Sequence, residues 1–124
     1  TITEFSRGSH GGLICTAAPL TLDNRELIIS LAARHRLPAV YPFRFFVAEG
    51  GLSSYGPDAV QFYRQAAEYV DRILKGEKPT ELPVQTPTKH ELAINLKAAR
   101  AIGLAVPPTL LARADEAVSY THLT

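Results

Sequence analysis

Two short stretches of this 124-residue chain carry side chains suited to holding a small molecule. One is Tyr41-Pro42-Phe43-Arg44; the other is Ser54-Tyr55-Gly56-Pro57-Asp58. The guanidinium of Arg44 is a planar fork of donors that fits a carboxylate. Tyr41, Phe43 and Tyr55 offer ring faces for stacking, and the two tyrosines add hydroxyls. Ser54 and Asp58 can donate to or accept from a ligand. Each residue also has a competing structural role. Arg44 can pair with Glu49, and Tyr55 and the Phe43, Phe45, Phe46 cluster can fill a core. Ser54 and Asp58 can cap the helix that follows. A helix starting at Pro57 presents free amides and partial positive charge to an anion, unless Asp58 already occupies them. Shape, ring faces and a few oriented polar groups are what a binding site needs, with no nucleophile or base.

Catalytic chemistry has little support. Cys15 lies in the apolar run Leu13–Ala18, where an inert thiol is expected. His35 and His90 lack a second histidine or cysteine at ligand spacing, so no metal is expected. No GxSxG, GxGxxG or phosphate-binding loop is present. Lys89-His90-Glu91 alternates across a strand, which puts His90 on the face opposite its two neighbours and makes a local acid-base pair improbable. No cofactor is expected either, and the chain reads as a non-enzyme.

The elements that must position these residues follow from pattern. Hydrophobic residues make up 46% and charged residues 20%, a globular balance. Thirteen basic side chains nearly cancel twelve acidic ones, which argues against a nucleic-acid surface. The single cysteine excludes an internal disulfide, and no apolar run is long enough to cross a bilayer. No signal peptide is visible, and the chain opens on Thr1.

Thr1–Ser9 reads as the end of a helix, and Leu13–Ala18 as a strand covered on both faces. Asp23 and Glu26 have capping-box spacing, ahead of a helix with Leu27, Ile28, Leu31, Ala32 and His35 on one face. Ala39–Tyr41 is a strand, Phe43–Ala48 a short helix and Leu52–Tyr55 the next strand. Pro57 suits the first position of a long helix. In that helix Val60, Tyr63, Ala67, Val70 and Leu74 form a stripe expected to be buried, and Gly76 ends it. After a proline-rich connection, His90–Leu96 alternates as a half-buried strand. Lys97–Ile102 and Thr109–Ala117 are the closing helices. The order is β-α-β-α-β-α-β-α, which predicts an α/β fold with a parallel, doubly wound sheet and right-handed crossovers. The candidate residues then sit at the carboxyl ends of the strands, where such sheets bind ligands.

Several blocks also occur in the order of a known family: GGLSSYGPD, ILKGEKPTELPVQTPTK, and INLKAARAIGLAVPPTLLARADE. Across 11–116 the chain resembles the C-terminal part of ABC-transporter substrate-binding proteins, in a group that includes aromatic amino-acid binders. The resemblance implies one lobe of a type I periplasmic-binding fold, whose ligand lies in a cleft between two lobes. It implies a small organic solute such as an amino acid, delivery to a membrane permease, and a periplasmic or extracytoplasmic location. Residues 1–87 would be the C-terminal ligand-binding lobe, and 88–117 a crossing strand and helices that pack on the first lobe. Residues 118–124 depart from the family, resemble translated adapter sequence, and read as a non-native tail. The same architecture also serves ligand-sensing regulatory domains and doubly wound enzymes, which are the alternatives. Self-association through uncovered apolar surface is a further expectation.

Overall fold

The computed structural model describes residues 1–8 and 11–119. In chain order its elements are α1 (Ile2–Phe5), β1 (Leu13–Ile14), α2 (Pro19–Asp23), α3 (Arg25–Arg34), β2 (Ala39–Tyr41) and α4 (Arg44–Ala48). Then come β3 (Ser53–Pro57), α5 (Ala59–Leu74), β4 (His90–Asn95), α6 (Leu96–Ala101), α7 (Pro108–Leu111) and β5 (Glu116–Val118). The chain divides into two compact units: Thr1–Gly56 with Glu91–Thr124, and Pro57–His90.

The five strands form one sheet in the order β1-β2-β3-β4-β5. The α/β class and layered sheet expected from the sequence are present. Pairings β1–β2, β2–β3 and β4–β5 are parallel. β4 differs: the Asn95 N–H at its carboxyl end donates to the Leu52 carbonyl just before β3, at 2.8 Å. Neighbouring strands whose opposite ends meet run antiparallel, so the sheet is mixed. A parallel neighbour needs a return crossover, whereas β4 comes back from the Pro57–His90 excursion at the same edge that β3 left.

Within the first unit the core is Ile29, Ala32, Ala39, Tyr41 and Phe46, with Leu13, Cys15, Leu22, Ile28 and Phe43 packed around it. Register explains this selection. Leu13 pairs with Ala39 and Tyr41 with Ser54, so these share the face covered by the core. Ile14 pairs with Val40, and Val40 with Ser53, on the opposite face. On that second face, within the first unit, Ile14 is 84% exposed. Within the first unit taken alone, the expected cover of the strand is therefore present on one face. Right-handed crossovers between sequential neighbours put α2 to α4 on one side only.

Three local expectations are also corrected. Asp23 and Glu26 do not form a capping box, because Asn24 separates α2 from α3 and neither helix has a side-chain cap. Pro57 closes β3 and leaves the cap to Asp58. The last helix stops at Leu111, and β5 follows where helix was expected. The Asp115 N–H donates to the Leu92 carbonyl at 2.9 Å, and its carboxylate accepts from the Leu92 N–H at 2.8 Å. This double link stitches the segment to β4. Val118, the first residue of the supposed tail, pairs with Asn95; Tyr120–Thr124 lie outside the described residues.

In the second unit, Asp58 caps α5 by accepting from the Val60 and Gln61 N–H groups at 2.9 and 3.2 Å. Gly76 ends the helix with φ +102°, a conformation open to glycine. The Tyr69 hydroxyl donates to the Pro83 carbonyl and ties the return segment to the helix. The stripe expected to be buried is not: no residue of α5 is buried.

Candidate functional site

Parallel register brings the ends of β1, β2 and β3 to one edge of the first unit: Cys15-Thr16, Pro42-Phe43 and Tyr55-Gly56. Because β4 runs the other way, its beginning, with that of its parallel partner β5, lies at this same edge. Arg44, in the first turn of α4, forms an ion pair there with Glu116 at the start of β5. Glu91, Leu92, Ala93, Asp115 and Glu116 line a small cleft of about 60 Å³ beside Arg44. The edge therefore combines a guanidinium with carboxylates, aromatic rings and backbone ends.

The six sequence-predicted residues take different places. Tyr41 is buried, stacked on Phe46 with ring centroids 5.0 Å apart. Burial pushes its hydroxyl pKa well above the ordinary tyrosine value, helped by the nearby Cys15. Ser54 is also buried, and shares the covered face with Tyr41. Phe43 precedes α4, packs at the margin of the core and stacks on Phe45 at 5.5 Å. Tyr55 points to the second face of the sheet and is 58% exposed. Arg44 is largely exposed while paired with Glu116. Asp58 belongs to the second unit, where its carboxylate is occupied as the α5 cap. Phe43, Arg44 and Tyr55 thus present surface at the first unit's edge, and Tyr41 and Ser54 support it from beneath.

Glycine makes this packing feasible. A Cβ on Gly56 would lie 1.8 Å from the Pro42 carbonyl oxygen, so β3 approaches the Pro42 turn more closely than any side chain permits. A Cβ on Gly51 would meet the Phe46 carbonyl at 2.7 Å and the Tyr41 ring at 2.8 Å.

Two features were not read from the sequence. The sequence pattern predicts a helix at Glu116, and its partnership with Arg44 spans 72 positions. No local spacing signals such a pair. The second is a cavity of about 190 Å³ away from this edge, where α3 faces α6. Alanines on both helices, Ala32, Ala33, Ala98 and Ala101, leave that gap, with Tyr41 and Gly51 among its lining. Asn95 also lines it, but its carboxamide oxygen is engaged in capping α6, accepting from the Lys97 and Ala98 N–H groups at 3.0 Å.

Burial pushes the Cys15 thiol pKa up, the direction that suppresses a reactive thiolate. Among the described residues no group of three or more His, Cys, Asp or Glu is placed to hold a metal. No described helix is long and apolar enough to cross a membrane.

Comparison with known proteins agrees with this architecture. A conserved domain protein from Vibrio cholerae O1 biovar eltor superposes with a TM-score of 0.84 at 27% identity, over 94% of this chain and 39% of that one. The ABC domain of a Streptococcus pneumonia protein, in complex with L-Trp, gives 0.83 at 20% identity, over 94% and 40%. A substrate binding protein with adhesive properties from Clostridium difficile, in its ligand-free, open form, gives 0.60 at 20% identity, over 98% and 42%. The chain thus spans about two-fifths of the length of these solved relatives. Among curated proteins no match was found. The family model described as ABC transporter substrate binding protein matches residues 7–118. With nearly the whole chain inside that match, the protein belongs to the ABC transporter substrate binding protein family.

Proposed function

We propose that this chain is part of the solute-binding component of an ABC importer. It binds a small organic solute, an amino acid or a close relative, in a cleft between two lobes. It then hands that solute to a membrane permease on the extracytoplasmic side, and performs no reaction. The family match over residues 7–118 carries the solute-binding reading. A structural relative that holds L-Trp supports an aromatic amino acid as the first solute to test.

At the proposed site, Arg44 exchanges part of its pairing with Glu116 for the solute carboxylate. The Glu116 carboxylate can then take up the solute ammonium. An ion pair that opens to receive a zwitterion leaves neither charge unmatched when the cleft closes over it. Tyr55 and Phe43 supply ring surface for an apolar side chain. Tyr41 and Ser54 hold the floor and Asp58 holds α5. Lobe closure draws its free energy from contacts made only in the closed state.

The test is a ligand-induced thermal shift on the full-length polypeptide carrying this chain, across amino acids and other small solutes. Ligand at one hundred times its Kd stabilises the folded state by about 2.7 kcal/mol, a readily measured rise in Tm. The expected result is a hit that weakens with Arg44→Ala or Tyr55→Ala. A hit indifferent to both substitutions moves the site elsewhere, and no hit across a broad library overturns the solute-binding reading.

A further inference from the structure

The cavity between α3 and α6 lies wholly inside the first unit: every residue lining it falls within 29–52 or 95–102. Its walls are set by what the two helices lack. Ala32 and Ala33 on α3 face Ala98 and Ala101 on α6, and methyl groups alone do not close the gap. Ile29 and Ile102 add to the apolar lining. Lys97 is the only charged residue that borders it, and Lys97 is exposed.

An apolar gap by itself names no occupant. Tyr41, also in the lining, supplies the second observation. Its side chain is 1% exposed, yet its hydroxyl donates to and accepts from no described residue. Every fully enclosed side-chain nitrogen or oxygen among the described residues has a partner. The Tyr41 hydroxyl is therefore not fully enclosed. What little opening this side chain keeps lies at its polar end, and the cavity is a space that it borders. Burial holds the hydroxyl protonated, so it offers a donor. A buried tyrosine hydroxyl normally finds a partner inside the protein. Asn95 does not compete for the role. Its oxygen accepts from the Lys97 and Ala98 N–H groups, and its amide nitrogen lies 3.5 Å from the Val47 carbonyl.

We propose that this cavity is a second binding site, for one small neutral molecule with an apolar body and a single hydrogen-bond acceptor that meets the Tyr41 hydroxyl. Size supports a small molecule. The volume of about 190 Å³ exceeds the roughly 150 Å³ of an apolar protein cavity that takes up benzene. A helix, about 10 Å across with its side chains, is too wide to enter. Neutrality follows from the lining, which encloses no charged group to match an ionic ligand. The site is distinct from the strand edge at Arg44, and the proposal does not depend on the solute reading above.

The test titrates the full-length polypeptide carrying this chain with phenol and, separately, with toluene, followed by calorimetry. The expected result is one-to-one binding of both. Ala98→Leu, which enlarges a wall residue into the cavity, weakens both about tenfold or more. Tyr41→Phe weakens phenol by about three- to tenfold, the worth of one neutral hydrogen bond, and leaves toluene bound as tightly or more so. No binding of either probe into the millimolar range overturns the proposal, because water or a side chain from elsewhere in the polypeptide then fills the space. Binding indifferent to Ala98→Leu also overturns it, as does an equal loss of phenol and toluene in Tyr41→Phe. Should Ala98→Leu not fold, magnetisation transfer from bound phenol to the Ala32 and Ala98 methyl groups of the wild type decides the location, and transfer only to other methyl groups overturns the proposal. The probes carry neither carboxylate nor ammonium. Failure to find a solute and failure to fill this cavity are therefore separate outcomes.

Discussion

Arg44 chooses a partner 72 residues away over one five residues away. Glu49 is close in sequence, but five positions on a helix turn a side chain to the opposite flank, beyond the three- and four-residue neighbours that meet. Glu49 instead accepts from Arg25 at 2.8 Å, and Arg44 takes Glu116. Both pairs are partly exposed, so neither contributes much to stability. Their value is positional: Arg44 is held at the strand edge without being buried. Tyr41 shows the opposite economy. Its hydroxyl pKa is raised by burial, so the unfolded chain releases that proton first as pH rises. The contribution to stability is therefore fully present below the ordinary tyrosine pKa of about 10 and declines above it. Denaturant unfolding at a series of alkaline pH values should show a steeper loss for the wild type than for Tyr41→Phe. Identical pH profiles would mean that the ring sits in water.

β3 is held against the Pro42 turn by the absence of a side chain. The 1.8 Å separation between a Gly56 Cβ and the Pro42 carbonyl oxygen cannot be relieved by a rotamer change, because both sides are backbone. Gly56→Ala should therefore cost about 1–3 kcal/mol or more, the range of forced backbone shifts in packed regions. A shift in denaturant midpoint at constant m-value reads this directly. A neutral substitution would show that β3 and the turn are further apart. α6 depends on the buried Asn95, whose side-chain oxygen caps it and whose amide nitrogen lies 3.5 Å from the Val47 carbonyl. One side chain thus serves a helix start and a neighbouring segment.

Each of the two units, taken by itself, has a half-covered face. The sheet face around Ile14 and Val40 and the Val60, Tyr63, Val70 and Leu74 flank of α5 are each apolar, and each belongs to one unit considered alone. On the proposed reading, a solute enclosed by two lobes meets only part of its contacts on this chain. The 124-residue chain by itself should therefore bind its solute weakly, and calorimetry should find no submicromolar affinity. Tight binding by the chain alone would show that one lobe suffices.

Much of the architecture was legible before any coordinates. Punctuation by Pro38, Gly50-Gly51, Pro57 and Gly76, and the change from apolar runs to helical spacing, placed β2, α4, β3, α5 and β4 close to their observed limits. The family blocks placed the chain among ABC transporter substrate binding proteins, and the match over 7–118 bears this out. Those signals are local, set by backbone conformation and side-chain period within a few residues. What escaped them depends on distant partners. β5 is three residues long, too short to display a period, and exists because Asp115 and Ala93–Asn95 hold it in register. The direction of β4, the one-sided cover of β1 within its unit and the pairing of Arg44 with Glu116 likewise leave no trace in spacing. The stripe on α5 marks the boundary most sharply. Periodicity announces that a face is apolar, but whether that face is covered is decided by whatever else the tertiary structure brings against it.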